Sequence, residues 1–91
     1  MSTRTLLVGA EIVCPTTTGA ATSFSEATVV RLVNTSSSTA YVVSVVEEQS
    51  GTGVGSMTLP PNAVEYLEKK SAHCVFASNA NVKGAKVGFT G

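Results

Sequence analysis

The chain has no aspartate and no tryptophan, and it carries a single histidine, His73. The acid–base pairs and activated nucleophiles of most hydrolytic and transfer sites therefore have few parts to draw on. Charge is scarce too: 13% of the residues are charged, six basic against six acidic, for a formal net charge of zero. That balance supplies none of the long-range attraction that nucleic acid or an anionic membrane needs, so neither partner is expected. No apolar run approaches membrane-spanning length. The first run, Leu6-Leu7-Val8, is broken at once by Gly9 and Glu11 and is too short for a secretory signal. Synthesis and folding in a cytoplasm are the default expectation. The two cysteines, Cys14 and Cys74, are then expected to be reduced thiols acting as small buried hydrophobes. A disulfide between them is the alternative.

What the chain does have is β-branched residues in short runs. Ala27-Thr28-Val29-Val30-Arg31-Leu32-Val33 and Ala40-Tyr41-Val42-Val43-Ser44-Val45-Val46 flank the tract Asn34-Thr35-Ser36-Ser37-Ser38-Thr39. Such side chains lose χ1 freedom in a helix and suit a pleated strand, and the two runs read as a hairpin. Arg31 marks an exposed face of the first arm and Val30 and Leu32 a buried one. The second arm is apolar on both faces and reads as a central strand covered on both sides.

The same pattern recurs along the chain. Residues 6–13 form a candidate first strand that Pro15 ends, and residues 16–21 a loop. Residues 22–26 read as an edge strand or more loop, anchored by Phe24. The glycines around Val54 suit a hairpin connection better than a phosphate-cradling loop, because Ser56-Met57-Thr58-Leu59 continues as a strand where such a loop needs a helix. Leu59-Pro60-Pro61-Asn62 is a turn in which Asn tolerates a left-handed position. Residues 63–70 read as a strand with charged positions at its far end. His73-Cys74-Val75-Phe76-Ala77 is a short strand, and residues 82–90 close the chain as a strand whose Lys83 and Lys86 suggest a protected edge. Seven to eight short strands without a long amphipathic helix predict one all-β domain over residues 1–91. The predicted form is an antiparallel β-sandwich of jelly-roll or immunoglobulin-like type, with a mobile N-terminal segment at residues 1–5. A small barrel is the runner-up.

Candidate chemistry is thin. His73 and Cys74 are adjacent in a strand and point to opposite faces, and Cys14, His73 and Cys74 show no recognisable metal-ligand spacing. Glu47-Glu48 and the pair Glu65 and Glu68 fall on opposite faces of their strands and do not converge. Asn34-Thr35-Ser36 fits the glycosylation pattern but reads as a turn. Phe24, Phe76 and Phe89 suit a core, while Tyr41 and Tyr66 suit a core or a binding surface equally. The chain is expected not to be an enzyme and to need no cofactor, metal or small-molecule substrate.

Val30-Arg31-Leu32-Val33-Asn34-Thr35, then residues 57–70 from Met57-Thr58-Leu59 through the Pro60-Pro61-Asn62 turn to Glu68-Lys69-Lys70, then Val75-Phe76-Ala77-Ser78 and Val82-Lys83, form an ordered series. It resembles the small β-sandwich virion proteins of tailed bacteriophages over about the last two thirds of the chain, with Pro61-Asn62 where a Pro-Gly turn is more usual. The resemblance implies a virion structural protein made in the host cytoplasm, a capsid decoration or cement protein bound to the major capsid protein between capsomers. A neck, collar or tail component is the alternative placement. It further implies a homo-oligomer or many repeated copies. A carbohydrate- or host-surface-binding module is the competing class. The residues expected at an interface are Thr3, Arg4 and Thr5 in the N-terminal segment, Ser36 and Ser37 in the hydroxyl tract, Gly53 in the glycine-rich loop, and the rings of Tyr41 and Tyr66.

Overall fold

A computed structural model describes residues 4–90. Eight strands follow in chain order: β1 (Arg4–Leu7), β2 (Ile12–Val13), β3 (Val29–Asn34), β4 (Tyr41–Val46), β5 (Gly53–Leu59), β6 (Val64–Glu68), β7 (Cys74–Ala77) and β8 (Val82–Thr90). A short 3-10 turn, Thr18–Ala20, lies between β2 and β3. The strands make two antiparallel sheets, one ordered β1–β8–β3–β6 with β2 also on β8, the other β5–β4–β7. Val30 and Leu32 from the first sheet and Val43, Val45 and Val75 from the second share one buried cluster, so the sheets pack face to face. This is the two-layer fold expected from the runs of valine. Among the described residues there is no α-helix and no closed barrel.

The alternation along β3 places Val30, Leu32 and Asn34 inside, with Arg31 half-buried on the outer face. β4 is the central strand of its sheet, but only one face is fully covered: Val43 and Val45 are buried, while Val42 is 41% exposed. A register shift between Val45 and Val46 turns Val46 into a second small cluster with Ala21 and Cys74. The loop after β4 joins it to β5 as a hairpin, and Asn62 takes the left-handed φ of 58° that the Pro-Pro-Asn turn requires.

Three expectations are corrected. β3 and β4 are not a hairpin: β3 pairs with β6 and β8, β4 with β5 and β7, and residues 35–40 cross between the layers. β-branched composition identifies a strand but not its partner, and a six-residue tract is longer than the two-residue turns that fix a hairpin. β8 is interior, held by β3 on one side and by β1 and β2 on the other, so Lys83 and Lys86 do not guard an edge. Both are half-buried, and the Lys86 Nζ donates to the Ser25 carbonyl at 3.0 Å. Lys69, one of the charged positions at the far end of its strand, is 8% exposed. The run at residues 6–13 is divided as well. Leu7 opposes Val87 and Ile12 opposes Gly84, so the N-terminal side uses two more residues than β8 over that stretch.

Residues 22–26 form neither a regular strand nor an open loop. Thr22 makes a single bridge to Val75, and then Phe24, Ser25 and Glu26 take φ values of 53°, 56° and 59° in succession. The turn is closed by Ala27 N donating to the Ser23 carbonyl and Glu26 N to Ser23 Oγ, each at 3.1 Å. A left-handed conformation costs an L-residue roughly 1–2 kcal/mol. Burial of the Phe24 ring, 5% exposed, opposes that cost. Ser25 is exposed and holds Lys86 through its backbone alone. Ser25→Gly is therefore expected to stabilise the domain by about 0.5–1 kcal/mol, the relief of strain exceeding the added chain entropy, and to raise Tm by several degrees. Thermal unfolding followed by circular dichroism measures it.

Candidate interaction surface

Among the described residues, the Cys, His and Glu side chains do not gather into one cluster. Cys14 is 1% exposed in the main core and Cys74 lies in the second cluster, both free thiols. Burial pushes the Cys14 thiol up to about 12 from 9.0. It is therefore held as the neutral thiol at neutral pH. Because the folded thiol holds its proton more tightly than the unfolded one, stability falls as pH rises from 9 towards 12, by at most about 1.4 kcal/mol per pH unit. Urea titrations across that window are expected to lose this slope in Cys14→Ser, which is also the variant that tests the thiol's packing. Glu47, Glu48, Glu65 and Glu68 are all exposed, and no group of three or more His, Cys or Glu converges among the described residues.

The outer face of the five-stranded sheet carries a more specific arrangement. Tyr66, Arg31 and Ala85 stand in one register row across β6, β3 and β8. They face away from the core because Val30 and Leu32 face into it. With Thr5, Leu7 and Glu11 they line a shallow groove of about 530 Å³. Thr5 Oγ1 and Tyr66 Oη share a hydrogen bond at 3.2 Å, and Arg31 Nη1 meets Glu11 Oε2 at 3.3 Å across the same groove. Both members of that ion pair are partly exposed, so it adds little to stability. Its consequence is to fix the orientation of two opposite charges beside an aromatic ring.

Next to this groove the chain exposes apolar side chains in a row. Leu6, Leu7 and Val8 are 53%, 68% and 51% exposed, and Ile12 and Val13 are 43% and 50% exposed. The cause is the mismatch of layers. β1 sits at the rim of the five-stranded sheet, and a three-stranded partner sheet does not reach over it. Apolar residues on both faces of β1 consequently meet water.

Of the residues expected at an interface, Thr5 and Tyr66 are brought together in the groove. Arg4 opens β1 opposite Thr90, and Thr3 lies outside the described residues. Gly53 is exposed at the start of β5. Ser37 is exposed, but Ser36 has a structural role: its Oγ accepts from Ser38 N and Thr39 N at 3.3 and 3.0 Å, and its carbonyl accepts from Asn62 N. Tyr41 is half-buried against the core and not a surface ring. Sequence reasoning missed Leu6, Leu7, Val8, Ile12 and Val13 as surface residues. The available signal was Leu6-Leu7-Val8 itself, apolar on consecutive positions where a half-covered strand alternates. No protein-family model matches the chain, and searches of curated proteins and of solved structures give no match.

Proposed function

We propose that this chain is a non-enzymatic structural protein of a phage particle, a head decoration or cement protein that binds the major capsid protein between capsomers. The observation that carries the reading is the apolar flank of Leu6, Leu7, Val8, Ile12 and Val13. Five large apolar side chains exposed at one rim of a small sheet are surface that a partner can cover. Low surface charge and the absence of any converging reactive group among the described residues support the same conclusion. Each copy contributes modest contacts, and symmetric repetition over a shell turns them into avidity. Placement at the neck, collar or tail uses the same flank. A sugar-binding reading draws on Tyr66 beside Arg31 and Glu11, a ring and two polar groups suited to a saccharide.

Quantitative mass spectrometry of particles purified from the source that encodes the chain tests the proposal. A copy number comparable to that of the shell protein is expected, with incorporation reduced when Leu7 and Val13 are replaced by glutamate. Absence from particles overturns the reading. Glycan binding that disappears in Tyr66→Ala while particles lack the chain would favour the sugar-binding class.

A further inference from the structure

On the flank away from β1, β5 and β6 are both outermost strands, and a cleft of about 370 Å³ opens between them. Val43, Val45, Met57 and Leu67 form its apolar floor and walls. The rim carries Lys69, Lys70 and His73, with Glu68 as the one carboxylate beside them. The Lys69 Nζ donates to the carbonyls of Ala27, Lys70 and Ser71 at 2.7, 3.3 and 3.3 Å, which holds its charge inside and leaves Lys70 and His73 to face a ligand.

The edges of the two sheets are not equally guarded. β7 is closed off by Thr22, which exchanges two backbone hydrogen bonds with Val75, and by the Pro15 carbonyl, which accepts from Ala77 N. β6 carries Glu65 and Glu68. β5 carries no charge, contains Gly53 and Gly55, and pairs with β4 alone among the described strands. The register shows which of its amides are free. Ser78 N donates to the Val42 carbonyl, so Val42 faces β7 and Val43 faces β5. Met57, opposite Val43, then bonds to β4, and the backbone groups of Ser56 and Thr58 turn outward, while the register shift at Val45 and Val46 ends this alternation before Val54.

We propose that β5 is a strand-addition edge for an extended segment of a partner protein with alternating apolar side chains and at least one acidic residue. Its backbone pairs with Ser56 and Thr58, its apolar side chains enter the cleft, and its acidic group meets Lys70 and His73. This rests on the structural role proposed above and gives the chain a second docking surface, opposite the β1 flank, as bridging requires. The basic rim selects an acidic segment over an apolar one, and the lack of charge on β5 removes the usual barrier to pairing.

The probe is a capped heptapeptide of alternating valine and threonine with glutamate near each end, alongside its glutamine counterpart, titrated into the full chain with amide chemical shifts as the readout. Saturable shifts at residues 54–58 are expected. Ser56→Pro removes one outward donor while sparing the β4 ladder, and is expected to weaken binding about tenfold, the equivalent of one backbone hydrogen bond, without changing Tm. Lys70→Glu is expected to weaken the glutamate peptide about fivefold and to leave the glutamine peptide unaffected. Absence of shifts on β5, or identical binding by Ser56→Pro, overturns the proposal. Concentration-dependent self-association abolished by Ser56→Pro would assign the edge to a second copy and overturn the choice of partner. Particle incorporation separates the two readings: wild type and Ser56→Pro incorporated equally sinks the β5 edge alone, whereas a wild-type chain absent from particles sinks the virion role alone.

Discussion

Replacing Asn34 with leucine is expected to destabilise the domain by about 4 kcal/mol, although the two side chains branch alike and the position is one of the inward-facing ones of β3. Asn34 is fully buried. Its Nδ2 donates to the carbonyls of Thr39 and Leu59 at 2.8 and 3.0 Å, its Oδ1 accepts from Ser36 N at 2.9 Å, and its own N donates to the Ala63 carbonyl. One side chain thus holds the end of the crossover between the sheets, the end of β5 and the turn leading to β6. Leucine would take away the partner of the Thr39 carbonyl and of the Ser36 amide and one of the bonds to the buried Leu59 carbonyl, and would add apolar bulk among these polar groups, a loss of roughly 1–3 kcal/mol for each group left unpaired. A domain of this size has about 5–14 kcal/mol in total. Chemical denaturation gives the value directly. Asn34→Asp separates hydrogen bonding from packing. The introduced carboxylate faces two carbonyls, so its protonated form is favoured in the fold, and the variant is expected to regain stability as pH falls from 7 towards about 4. A pH-independent loss in Asn34→Asp would mean that those carbonyls can reach water.

The role of Asn34 shows where the sequence was legible and where it was not. Short apolar runs between Gly, Pro and Asn located nearly every strand, because pleating demands alternation and β-branched residues favour it. The left-handed position of Asn62 followed from the turn chemistry around it. Partner choice was not legible. Asn34-Thr35-Ser36 looks the same on paper whether it bends a hairpin or carries the chain across to the other sheet, and only the carbonyls of Thr39 and Leu59, distant or local in sequence, decide it. The burial of Lys69 was illegible for a related reason: three carbonyls that only the fold brings together hold its ammonium inside. Half of the surface site was foreseeable: Thr5 was singled out by its place in the N-terminal segment and Tyr66 by its ring, yet only the register of β1, β8, β3 and β6 brings their hydroxyls to 3.2 Å. The apolar flank left one trace, the unbroken Leu6-Leu7-Val8, but that run fits a strand covered on both faces as well as one exposed on both, and only its place at the sheet rim decides between them.

The second large effect is expected at Gly84. In an ordinary strand, glycine to valine adds β-propensity and removes chain entropy, together a gain of up to about 1 kcal/mol. Here the sign reverses. A Cβ at Gly84 would lie 2.7 and 2.9 Å from Cζ and Cε1 of Phe24 and 3.1 Å from a methyl of Leu32. Neither neighbour can withdraw cheaply: Leu32 is fully buried, and the Phe24 ring is fixed by a turn whose three residues are already left-handed. Gly84→Val is therefore expected to cost about 3 kcal/mol and Gly84→Ala about 1–2 kcal/mol, as overpacking of a closed core does. A double-mutant cycle identifies the cause. Phe24→Leu alone loses ring contacts and destabilises, but it frees the space above Gly84, so Gly84→Ala in that background is expected to be neutral or stabilising, with a coupling of at least about 1 kcal/mol. Additive losses would show that the ring does not rest on Gly84. Gly84 is also the residue that β8 places opposite Ile12 as well as Leu32. The same clash would push on β2, and the variant is expected to raise amide exchange at Ile12 and Val13, the end of the apolar flank on which the proposed docking depends.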